Sequence, residues 1–168
     1  MPVLEFPYTQ YVLDDVVMNM CLGMGGQNQV ILTYSATRND GGKCKGCCPK
    51  TVVVPSGPYA GDPTSCDEFP FASTYEALNQ GAHLACVNAY ENNFQGWWIM
   101  QWRRATGIQD GTQYIAKVTG FDCSKVIPTD VLGCGGVPGG TIVRRSIVMR
   151  DNTLTITGSE SMSSFLHI

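Results

Sequence analysis

Charge is scarce in this chain: Asp, Glu, Lys and Arg make up 15% of its 168 residues, against about 25% in an ordinary soluble domain. Basic residues are the scarcer, 11 against 14 acids, for a net charge of −3. That balance excludes a purely electrostatic clamp on nucleic acid, which would show as a basic excess. No apolar run approaches the ~18 residues of a membrane span, and no heptad pattern is sustained. Histidine occurs twice, with no spacing that suits a pair of ligands on one metal. There is no Asn-x-Ser/Thr sequon and no internal repeat. The opening Met1-Pro2-Val3-Leu4-Glu5 has neither the charged head nor the apolar stretch of a signal peptide. Either a leader was removed ahead of it, or the chain is cytosolic with free thiols; cysteine use favours the first.

Cysteine is abundant. Cys21, Cys44, Cys47, Cys48, Cys66, Cys86, Cys123 and Cys134 make an even set with one adjacent pair. Such a set reads as a disulfide framework in a secreted protein, with the connectivity open. The rival reading is zinc, held by Cys44, Cys47, Cys48 and Cys66, although a lone CxxC without a partner pair is a weak signal. Hydrophobic residues at 43% are enough for a core, while Gly 19 and Pro 9 make the chain loop-rich. The length suits a single domain over residues 1–168.

Hydrophobic spacing predicts a helix over residues 9–23, where Val12, Leu13, Val16, Val17, Met20 and Cys21 fall on one face behind a Thr9 cap. β-Branched and aromatic residues predict strands over 29–35, 51–54, 83–87 and 112–119. Residues 38–50 read as a loop and 55–67 as turns. A short helix starts near Thr74. Residues 93–106 read as a helix stopped by Gly107, with Phe94, Trp97, Trp98 and Trp102 on one stripe, taken as core packing rather than base stacking. A final pair of strands, 141–149 and 154–157, flanks an Asp151-Asn152 turn. The sum is an α+β domain with antiparallel strands.

Charge is distributed unevenly. Residues 51–102 hold five acids (Asp62, Asp67, Glu68, Glu76 and Glu91) and no Lys or Arg. The remainder has 11 basic and 9 acidic residues, a sum of +2. Carboxylates without basic neighbours suit a hard divalent cation, which prefers oxygen. Lys43, Lys45 and Lys50 before the stretch, and Arg103 and Arg104 after it, suit phosphates. An ordinary solvated acidic face explains the same composition.

Local words favour the first explanation. Cys66-Asp67-Glu68-Phe69-Pro70-Phe71-Ala72-Ser73-Thr74-Tyr75-Glu76 resembles the DE-(aromatic)-P signature of the NucA/NucB family of secreted deoxyribonucleases, above all its cysteine-bearing fungal members. Glu91-Asn92-Asn93-Phe94-Gln95-Gly96-Trp97 is similar to the family's acid-Asn block before a helix, and the Asp110-Gly111-Thr112 turn also fits. The resemblance spans about residues 52–119, with the N-terminal helix and C-terminal hairpin as additions. It departs at Ala77-Leu78, where the family usually has a Gly pair. It implies an antiparallel sheet with a ββα-metal-type hairpin-helix unit, stapled by disulfides. It also implies a sequence-nonspecific endonuclease acting on DNA, and by extension RNA, with one Mg²⁺ or Mn²⁺ as cofactor.

The roles follow from that resemblance and from what phosphodiester hydrolysis needs: a base for the attacking water and positive charge on the phosphate and leaving oxygen. Related ββα-metal nucleases generally use a His as base, and this motif has none. Asp67 is the first choice for the base, with its pKa raised by Phe69, Pro70 and Glu68; Glu68 is the second. Asn92, just before the helix, is the expected metal ligand, unless it merely caps the helix. Glu91 is the alternative ligand or orients metal-bound water, and Asp67 completes the oxygen set. Gln95, Gln101, Arg103 and Arg104 are candidates for substrate phosphate, and Glu76 for support behind the ligands. His83 and His167 read as packed or surface residues. Two other classes stay open: a secreted disulfide-rich recognition or toxin domain without turnover, and the zinc module. An inhibitor partner is not readable, and no membrane role is expected.

Overall fold

The computed structural model describes residues 1–10, 12–37, 43–79, 81–139, 141–150 and 153–160. In chain order the elements are β1 (Val3–Pro7), α1 (Asp14–Gly23), β2 (Gln29–Thr33), β3 (Thr64–Phe69), α2 (Tyr75–Asn79), β4 (Ala82–Asn88), α3 (Ala89–Thr106), β5 (Gln113–Thr119), β6 (Thr141–Arg150) and β7 (Thr153–Glu160), with short 3₁₀ turns between β5 and β6. They form two sheets. One is ordered β1-β5-β2, with β1 parallel and β2 antiparallel to β5; the other is antiparallel, ordered β3-β4-β6-β7. The α+β class stands. The parallel pair arises from β1, which sequence inspection passed over although its burial alternates residue by residue, as one core-facing side of a strand requires.

One core joins the two sheets. Leu4 and Phe6 from β1, Leu32 from β2, and Ala116 and Val118 from β5 are buried with Val16, Val17 and Met20 of α1 and with Ala85 and Val87 of β4. A disulfide between Cys21 and Cys123 adds a covalent tie within it. The end of α1 runs so close to β3 that a Cβ on Gly23 would stand 2.7 Å from Phe69 Cδ1. That contact demands glycine at 23, beyond its place at the helix end.

A second, smaller cluster combines Val52, Ala82 and Leu84 with Cys47 and Cys86, and Cys44, Cys48, Cys66 and Cys134 pack around it. Bonds Cys44–Cys66, Cys47–Cys134 and Cys48–Cys86 pin the loop of residues 43–52 to β3, β4 and the 3₁₀ turn Cys134–Gly136. β4 is therefore buried along its whole length. All eight cysteines are bonded and none is free, which corrects the zinc alternative. The Cys47, Cys48 and Cys66 sulfurs do lie within 4.8 Å of one another. Each is already joined to another cysteine, so no thiolate remains to bind a metal.

Several boundaries differ from the sequence reading. Residues 51–54 make only an isolated bridge, Val53 with Pro63. Residues 64–67, read as turns, belong to β3, so the Asp67-Glu68 pair lies on a strand. α3 starts at Ala89 behind an Asn88 cap whose side chain accepts from Tyr90 N. Asn92 therefore sits inside the first turn, and Asn88 does the capping. α1 starts at Asp14 without a side-chain cap of its own. The Asp151-Asn152 turn and His167 fall outside the described residues. No described helix is long and apolar enough to cross a membrane.

The expected core role of the tryptophan stripe is corrected in part. Trp102 does pack, its ring 5.0 Å from Tyr114 and its Nε1 donating to Val3 O. Trp97 is 48% and Tyr90 66% exposed, and Phe94 and Trp98 are exposed beside them. The buried residues of α3 are instead Glu91 and Gln95. Periodicity showed a stripe but not which way it faces, and here the polar side of the helix turns inward.

Candidate functional site

Four pieces of chain enclose a cleft of about 400 Å³: β3 with the segment after it, one face of α3, the residues just after β2, and Cys44 of the loop before β3. Its lining includes Asp67, Glu68, Asn92, Gln95, Gly96 and Arg103. β3 carries Asp67 and Glu68, and the Cys44–Cys66 disulfide, also in the wall, holds that strand at the rim. β4 pairs with β3 and runs directly into α3, so the two oxygen-rich sequence blocks meet because hairpin and helix are consecutive.

Asp67 is 4% exposed. Burial pushes its carboxyl up to about 7, and the neighbouring Glu68 charge adds to the rise. Opposing this, Asn19 Nδ2 donates to Asp67 Oδ2 at 2.8 Å. Asn19 is fully buried on α1, and its Oδ1 lies 2.6 Å from His83 Nδ1. Because the Asn19 NH₂ points at Asp67, its Oδ1 must accept, which places a proton on His83 Nδ1. Burial also holds His83 down at about 4, so the ring is neutral at ordinary pH. The imidazole thus stands behind the acid, at the end of the chain Asp67–Asn19–His83. Sequence reading missed Asn19. Its signal was there: one amide among Val16, Val17 and Met20 on an otherwise apolar helix stripe.

Asn92 is oriented without ambiguity. Its Nδ2 donates to Ser65 Oγ at 2.8 Å and to Cys66 O at 3.0 Å, both on β3. Its Oδ1 has no hydrogen bond among the described residues, which leaves a neutral acceptor at the cleft. Gln95 is 3% exposed, and its Nε2 is buried with no hydrogen-bond partner among the described residues. The Arg103 guanidinium lies 4.2 Å over the Tyr34 ring and donates to the Tyr34 hydroxyl. It is the one Lys or Arg among the described lining residues.

Other candidates lie elsewhere. Glu91 faces a separate pocket with Asp14, Asp15 and Asp130. Its Oε2 accepts from Asp15 N at 2.8 Å and Val16 N at 3.4 Å, so it closes the open N-terminus of α1. Asp15 returns the tie by accepting from Asn88 N at 3.0 Å. Burial, then the Asp15 charge, push Glu91 up to about 7. Glu76 accepts from Thr33 N through both oxygens, at 3.1 and 2.9 Å, and holds α2 to β2. Arg104 is exposed, and neither it nor Gln101 lines the cleft.

The arrangement pairs a buried carboxyl poised near neutrality with oxygen acceptors that suit a hard cation (Asp67, Glu68 and Asn92 Oδ1). Donors that suit an oxyanion, Gln95 and Arg103, line the same wall. Residues 20–117, more than half the chain, match the family model described as Deoxyribonuclease NucA/NucB. The match begins earlier than the motif-based span, taking in the end of α1. A comparison with curated proteins finds no match.

Proposed function

The chain belongs to the NucA/NucB deoxyribonuclease family, and from that premise we propose that it is a divalent-metal-dependent, sequence-nonspecific endonuclease whose base is Asp67. The observation that carries the reading is the shared cleft: Asp67, Glu68 and Asn92 line one wall system with Gln95 and Arg103. The consecutive β3, β4 and α3 serve in this reading as the ββα-metal unit.

The residues fit a hard cation. Asp67 is a buried carboxyl with no cationic side chain hydrogen-bonded to it among the described residues, and such a group favours either a proton or a metal ion. Asn92 Oδ1, left over once its NH₂ is committed to β3, adds a ligand that does not neutralise the ion. Glu68 completes the set. A bound Mg²⁺ or Mn²⁺ supplies positive charge for the phosphate and leaving oxygen.

The chain's own residues do the rest. Arg103 offers a guanidinium fork to a phosphate oxygen, and its stacking on Tyr34 fixes the fork before substrate arrives. Gln95 offers its amide to the neighbouring backbone of the substrate. Asn19 holds the Asp67 carboxyl in place, and that carboxyl accepts the proton of the attacking water. The water oxygen bonds to phosphorus, one phosphorus–oxygen bond breaks, and the leaving oxygen takes a proton from solvent. A carboxyl raised by burial is a stronger base than an exposed one. In the metal-free chain that carboxyl stands at about 7; a bound cation lowers it, which widens the working range downward.

Four disulfides suit an oxidising, extracellular setting, and DNA is the proposed substrate, with RNA as a second. The test is plasmid nicking with Mg²⁺ or Mn²⁺, with each metal plus excess EDTA, and with a parallel RNA arm. Cleavage is expected with metal and at least 10²-fold slower in EDTA; undiminished cleavage in EDTA overturns the metal requirement, and no cleavage under any condition overturns the nuclease activity. Because Arg103 is the one cation in the described wall, binding is expected to weaken with salt by a shallow slope.

A further inference from the structure

We infer that the strip of α3 bearing Gln95 and Gly96 is a subsite for the sugar–phosphate backbone flanking the scissile phosphodiester, an inference that rests on the nuclease reading. Glycine is disfavoured in a helix interior relative to alanine, yet Gly96 lies well inside the 18 residues of α3. Nothing in the packing of the described residues demands it. A Cβ at 96 would meet no atom within 4 Å, and its φ is not in the left-handed region. The contrast is Gly23, where a Cβ would collide with Phe69. Gly96 lines the cleft. The missing side chain therefore keeps space open for something outside the protein.

Gln95 indicates what that occupant is. A buried donor without a partner is costly, and Gln95, which lines the cleft, has its Nε2 buried with no hydrogen-bond partner among the described residues. A turn of the Gln95 side chain toward an anionic oxygen seated beside bare helix backbone would satisfy it. Ile99 and Met100 extend the strip as apolar lining, and Arg103 stands at its end. From Asn92 to Arg103 the helix rises about 16 Å at ~1.5 Å per residue. That exceeds the ~3.4 Å axial rise of one nucleotide several times over, so the strip accommodates backbone beyond the single phosphodiester being cut. Phosphodiester backbone is the ligand class.

The test compares Gly96→Ala and Gly96→Leu with the unaltered protein on plasmid DNA and on a thymidine dinucleotide, with Ala105→Leu as a control for bulk at an exposed position of the same helix. Gly96→Ala is expected to raise Tm by about 2–4 °C while lowering kcat/KM on plasmid about tenfold. Gly96→Leu is expected to lower it about 10²-fold, mainly through KM, with a loss on the dinucleotide several times smaller. Ala105→Leu is expected to match the unaltered protein on both. Undiminished plasmid cleavage by Gly96→Leu, equal losses on the two substrates, or a lowered Tm in Gly96→Ala each overturn the subsite. Failure of the unaltered protein to cut either substrate overturns the nuclease reading itself, a different result from any of these.

Discussion

Asp67→Asn is expected to give a folded chain that cleaves DNA about 10³-fold more slowly, the typical worth of a positioned base. The same substitution is expected to raise stability at pH 8. Asp67 stands at about 7 in the fold and near 3.9 in an unfolded chain. Between those values the folded state keeps a proton that the unfolded state has released. The protonated form's contribution is whole below about pH 4 and is lost as pH climbs toward 7, on the order of 2–4 kcal/mol. Asn carries no charge and removes that slope, while Glu91, also raised to about 7, retains its own. Urea unfolding in EDTA from pH 4 to pH 8 measures both parts. A base that is merely structural would give the opposite pair of results: activity kept and stability lost.

Opening the Cys21–Cys123 bond is the second large effect. It joins residues 102 positions apart, and constraining a loop of that size stabilises a fold by about 4.7 kcal/mol in the chain-entropy account. Whole domains have only about 5–15 kcal/mol. The double variant Cys21→Ala, Cys123→Ala is expected to lower Tm by about 10–20 °C. Both residues are fully buried, and the bond lies in the main core, away from the cleft wall. Activity of the remaining folded fraction at 20 °C is therefore expected to stay within about threefold. Cys44–Cys66 closes only 22 positions, for about 3.4 kcal/mol, yet both its residues line the cleft. Its loss is expected to lower activity more than stability, and calorimetry beside the nicking assay separates the two bonds.

The motif-bearing parts of the site were legible because they are local. Asp67-Glu68-Phe69-Pro70 and Asn92 with Gln95 are short words, and the strand and helix that carry them follow one another with β4 between. What was not legible depends on distant chain. Asn19 reaches Asp67 from 48 positions away, and nothing near Asp67 announces it. Glu91 has an acid's composition but spends its oxygen on the start of α1, because that helix lacks a cap of its own. The exposure of Trp97 and Trp98 was missed for the same reason: a periodic stripe fixes which residues share a face but not what the face meets. β1 was missed because five residues with only two buried side chains give too little pattern to see.

In the proposed nuclease the β3 acids and the start of α3 hold one cation between them. Titration of the metal-free protein with Mn²⁺, followed by electron paramagnetic resonance of the free ion, tests it without reference to turnover. One Mn²⁺ per chain is expected, with affinity weakened at least about tenfold in Asp67→Asn and again in Asn92→Ala, each variant remaining folded. Binding unchanged in both variants, or no binding at millimolar Mn²⁺, would contradict it.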